Sequence, residues 1–164
     1  MALTKQIKYP DKRLQESFTV KIFDRLILFK CLIKQDKCCK IELEFSQLPV
    51  NQDINTPIKS EIISILNSDK NNISNLFDLT CNDRQLMVYK ELMEVPYGET
   101  RNYSELSIKT GFSSPRYIGN ILSKNPLPIV IPCHRIIGKD KTLRGYAFGL
   151  EMKQLLLSWE ARKK

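Results

Sequence analysis

The chain has one histidine, one tryptophan and no glycine before residue 98. Its longest apolar run, Pro126 to Pro132, is cut by prolines and falls far short of the ~20 residues of a helical membrane span. The start, Met1-Ala2-Leu3-Thr4-Lys5, lacks the apolar stretch of a secretory signal. Both absences predict a soluble, intracellular protein with no membrane role. A zinc site draws on several Cys and His, and His134 is the one histidine available. The five cysteines (Cys31, Cys38, Cys39, Cys81, Cys133) form no C-x-x-C pair and no repeated spacing. An odd count in an intracellular setting argues against a disulfide framework. No metal is expected. Most of these cysteines read as small core or surface residues; Cys133 differs because the histidine follows it directly.

At 164 residues the chain suffices for one domain or two small ones. Such a length buries roughly 70% of the unfolded surface without staples. The net charge of +8 is unevenly placed: residues 1–80 hold 12 basic and 10 acidic side chains, residues 81–164 hold 14 and 8. A basic half fits a polyanion partner such as nucleic acid, or simply a solvated basic surface.

Glycine and proline divide the chain as well. All six glycines follow residue 97, and five of eight prolines lie between 96 and 132. The first half opens with β-like runs at Phe18–Phe23, Leu26–Ile33 and Ile41–Phe45, predicting a small antiparallel sheet. Ile58, Ile62, Ile63, Ile65 and Leu66 then recur at near-helical spacing over Pro57–Leu66. The polar stretch Asn67–Asn75 reads as a linker. No internal repeat is present.

The second half reads as helices. Asn82 or Asp83 can cap a helix to about Glu94, with Leu86, Tyr89 and Met93 on one face, ended by Pro96-Tyr97-Gly98. Asn102-x-x-Glu105 has the form of a capping box for a helix stopping at Gly111. Ser114-Pro115 supplies an N-cap and first-turn proline for a helix to about Lys124. Two short helices joined across residues 110–113 have the form of a helix-turn-helix, a pattern also common in helical proteins that bind no DNA. The last helix, about Gly149 to Arg162, puts Met152, Leu155, Leu156 and Trp159 in one stripe with Glu160 at its edge. A carboxylate there either wants a partner or is a surface residue of a fraying end.

The chemistry concentrates in Asn125-Pro126-Leu127-Pro128-Ile129-Val130-Ile131-Pro132-Cys133-His134-Arg135. Its β-branched centre predicts a buried extended segment held by prolines that exclude ordinary ladder pairing. An ordinary thiol has a pKa near 8.5, and an imidazole or arginine nearby raises the thiolate fraction. Adjacent side chains on an extended backbone point to opposite faces, so Cys133 and His134 would need a bridging water or a sharp turn to cooperate. As pattern alone, an isolated Cys-His pair is more often structural than catalytic.

Pro132-Cys133-His134-Arg135 resembles the active-site signature of the O6-alkylguanine-DNA alkyltransferases. Asn125-Pro126-x-Pro128-Ile129-x-Ile131, Gly145-Tyr146, Lys153 to Glu160, Pro96-Tyr97-Gly98-Glu99-Thr100 with Tyr103, and Ser114-Pro115-Arg116 with Gly119 are similar to that family too. The resemblance covers about residues 80–162. It implies an α/β (α+β) protein: an N-terminal ribonuclease-H-like domain, 1–78, and a mostly helical C-terminal domain, 79–164, that binds DNA through a helix-turn-helix and accepts the alkyl group.

The implied activity is DNA repair: direct, irreversible transfer of the alkyl group from O6 of a flipped-out guanine to Cys133, once per protein and with no cofactor. By resemblance His134 activates Cys133 through a water and Glu160 orients the histidine. Asn125 holds the turn near the site, and Tyr103 crowds the target phosphate and donates to N3 of the leaving guanine. Flipping costs a few kcal/mol. Arg116 resembles the arginine that fills the vacated stack; a phosphate contact or a solvated side chain is its alternative. Ser104, Ser114, Gly119 and Ser123 match further DNA-contacting positions on a helix pair that enters the minor groove, and Ile136, Tyr146 and Ala147 match the guanine pocket. Many relatives carry serine where Ala147 stands; the backbone amide survives, so the change touches tolerance for bulky alkyl groups. Asn82-Asp83-Arg84 departs from an aromatic common in relatives, with an effect expected on packing only. Arg135 is expected in a structural ion pair, between the domains.

The implied partner is double-stranded DNA carrying O6-alkylguanine, bound by a monomer with no obligate protein partner, in the cytoplasm or, for a eukaryotic source, the nucleus. Three rivals stand beside this. A non-catalytic lesion reader would lack the acceptor cysteine. A Cys-His hydrolase would have its histidine far from the cysteine. A transcription regulator would leave the Pro-Cys-His-Arg segment idle.

Overall fold

The structure, a computed structural model, describes residues 14–68 and 73–162. The start at Met1–Lys5 and the middle of the 67–75 linker lie outside the described residues. Among those described, three long strands come first: β1 (Leu14–Ile22), β2 (Arg25–Lys34) and β3 (Lys37–Ser46) form one antiparallel sheet in the order β1-β2-β3. Period-2 alternation explains the sheet: Ile27, Phe29, Cys31 and Ile33 of β2 point to one buried face. Across the ladder Phe18 pairs with Phe29, their rings stacked at 5.3 Å.

Helix α1 (Pro57–Asn67) starts at Thr56, whose side chain accepts from the Lys59 amide, and Pro57 occupies the first turn. Ile58, Ile62, Ile65 and Leu66 are buried, while Ile63 is only half-buried. Lys59 is buried as well, its ammonium donating to the carbonyls of Asn51, Gln52 and Ile54. That one side chain holds the loop between β3 and α1.

Helix α2 (Asp83–Met93) begins with a complete capping box between Asn82 and Gln85. Its buried face is Val88, Tyr89 and Leu92; Leu86 and Met93, expected to share the Tyr89 face, are half-buried. After the Pro96–Gly98 turn, the short strand β4 (Arg101–Asn102) leads into α3 (Tyr103–Lys109), and the Asn102/Glu105 capping box forms. Gly111, at φ +72°, supplies the left-handed residue that ends this helix. Helix α4 (Pro115–Leu122) is capped by Ser114 and buries Ile118, Ile121 and Leu122. Beyond it, a 3-10 turn (Cys133–Arg135) runs into β5 (Ile136–Ile137), which pairs in parallel with β4. The last element is α5 (Leu150–Ala161).

The expected extended segment before Cys133 is instead a tight turn. The Ile131 amide donates to Leu127 O at 2.8 Å, and Ile129 sits at φ +75°. A β-branched residue there is strained, and such strain persists only where the surroundings fix it. Here Leu127, Ile129, Val130 and Ile131 are all buried.

Both halves share one buried apolar cluster. The Ile41 amide of β3 donates to Pro126 O at 2.8 Å, Arg25 pairs with Glu151 at 2.8 Å, and Trp159 meets Phe23 edge-on at 5.4 Å. The chain is thus a mixed α/β fold whose small sheet backs the helical half. No helix among the described residues is long and apolar enough to cross a membrane.

Candidate active site

Asn125 organises the turn that carries Cys133. Its amide nitrogen donates to Ile131 O at 2.9 Å and to Cys133 Sγ at 3.1 Å, and its Oδ1 accepts from the Leu127 amide at 3.0 Å. The 3-10 turn then replaces the extended backbone expected at Cys133–His134, so the two side chains need not face opposite ways. The thiol is buried, and burial pushes its pKa up; the Asn125 hydrogen bond, the Lys153 charge and the backbone amides of Cys133 and His134 oppose that shift. Each opposing group stabilises the thiolate.

His134 Nε2 lies 2.8 Å from Glu160 Oε1, with both side chains buried. Burial lowers the pKa of the imidazole, Glu160 raises it and the Arg135 and Lys153 charges lower it again; the net shift is downward from 6.5. Burial would raise the Glu160 carboxyl, but the His134 hydrogen bond and the Arg135 guanidinium outweigh it and hold the pKa at about 2. The permanent charge of Arg135 adds to the His134 contact in keeping Glu160 ionised. A carboxylate only accepts, which assigns the imidazole proton to Nε2 and a lone pair to Nδ1. Nδ1 is buried and has no hydrogen-bond partner among the described residues.

Arg135 meets Glu160 with two nitrogens: Nε at 2.9 Å from Oε2 and Nη2 at 3.1 Å from Oε1, while Nη1 donates to Val95 O at 2.7 Å. The ion pair expected to bridge the domains therefore forms, among the described residues, within the C-terminal half. The reason is geometric: the 3-10 turn points Arg135 at the end of α5. The Gly98 amide adds a bond to Glu160 Oε2 at 3.1 Å.

A cleft of about 980 Å³ opens over Cys133. Tyr103, Ser104, Arg116, Gly119 and Ser123 line it from α3, α4 and the residue after α4, and Tyr146 and Ala147 line it from the loop before α5. Ser114 is placed apart from this lining, as the cap of α4. Ile136 also lies outside it, fully buried, with its carbonyl accepting Lys153 Nζ at 2.5 Å. The structure thus groups Cys133 with Asn125, and His134 with Glu160, around one turn, and sets the residues of α3 and α4 along the cleft above it. Tyr103 is pushed above its ordinary pKa by burial and then by Cys133, so its phenol keeps its proton. The hydroxyl of Tyr146 is buried without a partner among the described residues.

Several groups escaped the sequence. Lys153 is fully buried and donates to the carbonyls of Ile136 and Arg144, with its pKa lowered to about 8 by burial. Its signal was present: it lies seven residues before Glu160, two helical turns along one face. Lys139 and Arg144 join Arg116 at the cleft, which among the described residues has no carboxylate in its lining. Gly138 closes their loop by donating to Thr142 O at 2.8 Å. A Cβ there would meet Asp140 Oδ1 at 2.4 Å and Thr142 O at 3.1 Å, so a larger residue would displace the Asp140 carboxylate and press on the loop backbone. By contrast, a Cβ on Gly119 would make ordinary contact with Tyr103 at 3.8 Å. Among the described residues, no cluster of His, Cys, Asp and Glu could hold a metal ion.

Comparison with known proteins gives the same address. The family model for the DNA-binding domain of 6-O-methylguanine DNA methyltransferase matches residues 83–162. A methylated-DNA–protein-cysteine methyltransferase of Methanosarcina barkeri is 48% identical over 79 residues, 48% of this chain and 50% of that protein. The inducible enzyme of that name from Bacillus subtilis is 37% identical over 120 residues, 71% of this chain and 66% of its own. The matches thus span about half to two thirds of the length of these curated relatives. The crystal structure of O6-methylguanine-DNA methyltransferase from Pyrococcus kodakaraensis superposes with a TM-score of 0.75 at 22% identity, over 90% of this chain and 99% of that one; at that identity the likeness speaks for the fold. Mycobacterium tuberculosis OGT in complex with DNA gives 0.65 at 25% identity, over 83% and 88%. With its Pro-Cys-His-Arg turn, its buried His134–Glu160 pair and this match across the helical half, the chain belongs to the O6-methylguanine-DNA methyltransferase family.

Proposed function

We propose that this protein repairs DNA by taking the alkyl group of O6-alkylguanine onto Cys133, once per molecule. The observation that carries the reading is the Asn125–Cys133 bond beside the buried His134–Glu160 pair, beneath a cationic cleft. The Cys133 thiol gives its proton to a water, and the water gives a proton to His134 Nδ1, the imidazole atom with the free lone pair. Glu160 holds the resulting imidazolium. Sulfur then attacks the alkyl carbon in line, the carbon–O6 bond breaks, and its electron pair leaves on guanine. The Tyr103 phenol, kept protonated, donates to guanine N3 and stabilises that leaving charge. The product is a thioether, which water does not cleave, so the reaction stops after one turnover.

The DNA side of the proposal rests on α3 and α4 acting as a helix-turn-helix along the minor groove. The capping of both helices and the Gly111 turn between them support this, as do the small surface of Gly119 and the serines Ser104 and Ser123. Ser114 serves by fixing the start of α4 so that Arg116, in its first turn, can enter the stack behind the flipped base. Ile136, Tyr146 and Ala147 would receive the guanine, with the Ile136 carbonyl accepting the base amino group beside Lys153. The N-terminal residues 1–78 are read as a ribonuclease-H-like unit and residues 79–164 as the DNA-binding and transfer domain of a monomeric, cytoplasmic protein that needs no cofactor. The DNA complex of the Mycobacterium relative lends weight to the partner.

Stoichiometry tests the reading. With a tenfold excess of duplex carrying one O6-methylguanine, removal of the lesion should plateau at one per protein molecule. Continued turnover would make the protein a different kind of enzyme, and tight binding without removal would make it a lesion reader.

A further inference from the structure

Two aromatic donors from different elements converge on a single carbonyl of the N-terminal half. Trp159 Nε1 donates to Leu66 O at 2.9 Å, and the Tyr97 hydroxyl donates to the same oxygen at 2.8 Å. Leu66 lies in the last turn of α1, where carbonyls have lost their intrahelical partners and carry the negative end of the helix dipole. That oxygen is therefore a strong acceptor available to donors from outside the helix.

The two donors are placed in register with the candidate relay. Trp159 immediately precedes Glu160 on α5. Tyr97 immediately precedes Gly98, whose amide donates to Glu160 Oε2. The Tyr97 ring also lies beneath the Arg135 guanidinium, 5.5 Å from its centroid, and Arg135 is the bidentate partner of the same carboxylate. Phe23, in the β1–β2 turn, braces the other side of Trp159 edge-on. One bond to Leu66 thus fixes the residue before Glu160 itself, and the other fixes the residue before the Gly98 amide that holds it.

We infer that the C-terminal carbonyl of α1 positions the Glu160 carboxylate against His134, through Trp159 and Tyr97. The inference rests on the relay reading above and gives the N-terminal half a task in it: Trp159 and Tyr97 are positioning residues, and Leu66 O is their shared anchor. An imidazolium is stabilised only if the carboxylate stays in line with Nε2, and the Gly98 amide and the Arg135 guanidinium keep it there. Without the anchor, α5 and the 96–98 turn lose a common reference point, and the carboxylate drifts from the imidazole.

The test removes the donors and keeps the rings: Trp159→Phe, Tyr97→Phe and the double variant, all in the full chain. The chain has one histidine, so every imidazole resonance of 15N-histidine-labelled protein belongs to His134. In the wild type the Nε2 proton should be strongly deshielded by Glu160, and in each variant it should move upfield and exchange faster. Single-turnover methyl transfer should slow about threefold to tenfold per variant, the worth of one hydrogen bond, at unchanged affinity for the duplex. The acid limb of the pH profile should move to lower pH, because a less well-held carboxylate supports the imidazolium less. A lowered melting temperature with unchanged resonance, rate and acid limb would overturn the inference and leave the bonds as glue between the halves. If the wild type transfers no methyl at all, the parent reading falls, and the His134 resonances alone decide the anchor. The single variants keep the ring against Phe23 or Arg135, so they carry the test even where the double variant does not fold.

Discussion

Glu160 Oε1 lies 2.8 Å from His134 Nε2, and the other imidazole nitrogen, Nδ1, is buried without a partner among the described residues. This relationship fixes the tautomer. The proton sits where the carboxylate can take it, and the lone pair sits on the atom that remains to act as base. Arg135 completes the arrangement by keeping Glu160 charged without sharing its own proton.

The first prediction concerns pH. The folded-state pKa of His134 is lowered from 6.5, so as pH falls the unfolded chain takes up the proton first and folding loses stability below about pH 6.5. Glu160 acts lower down: its folded pKa of about 2 lies below the ordinary 4.5, so the stability it contributes is full above 4.5 and is lost as pH falls toward 2. Melting temperature should therefore decline in two stages. His134→Asn, which still offers Glu160 an amide donor, should lack the upper stage. An identical profile in that variant would contradict the assignment.

Neutralising the carboxylate tests the ion pair. Glu160→Gln leaves the Arg135 guanidinium buried without its counter-charge, which costs about 3–5 kcal/mol. Urea unfolding should show the loss as a lower midpoint with the slope unchanged. A cost near zero would mean that Arg135 is held by other groups.

Asn125→Ala removes three hydrogen bonds from one turn and takes the acceptor from the Leu127 amide beside the strained Ile129. The expected destabilisation is about 1–3 kcal/mol. The thiol also loses a donor that lowers its pKa, so alkylation of Cys133 by iodoacetamide should shift to higher pH. Wild-type reactivity in a destabilised variant would confine Asn125 to the fold.

Arg116 has two readings that DNA can separate. If it fills the stack behind a flipped base, Arg116→Ala should slow transfer from duplex far more than from single-stranded DNA, where nothing has to be flipped. An equal loss on both substrates, with a shallower salt dependence, would make it a phosphate contact instead.

Gly138→Ala addresses the cleft loop. The added methyl would sit 2.4 Å from Asp140 Oδ1 and 3.1 Å from the Thr142 carbonyl, so the Asp140 carboxylate must move off its Thr142 and Arg144 partners and the loop loses that tie. Transfer should slow while duplex affinity, assigned to α3 and α4 in the proposed reading, changes little. Unchanged transfer kinetics would show that this loop does not shape the pocket.

Much of this architecture was legible in the residues. Capping signals at Asn82, Asn102 and Ser114 mark helix starts that the structure reproduces, because a side-chain oxygen three residues before an orphan amide is a local matter. Apolar alternation revealed the three strands for a similar reason. The turn before Cys133 was not legible: β-branched residues between prolines read as extended, and the bonds that fold them back come from the Asn125 side chain, across six and eight residues, and from the Ile131 amide to Leu127 O. The Arg135–Glu160 pair was missed because α5 meets the 3-10 turn through tertiary packing. Lys153 hid in an apolar stripe, where an ammonium is retained only because two carbonyls reach it.

The most direct measurement is intact-mass and peptide mass spectrometry after incubation with a duplex carrying one O6-methylguanine. A gain of one methyl per protein, confined to the peptide containing Cys133 and absent in Cys133→Ser, is the predicted result. A methyl found on any other residue, or no gain from a duplex that the protein binds, would contradict transfer to Cys133.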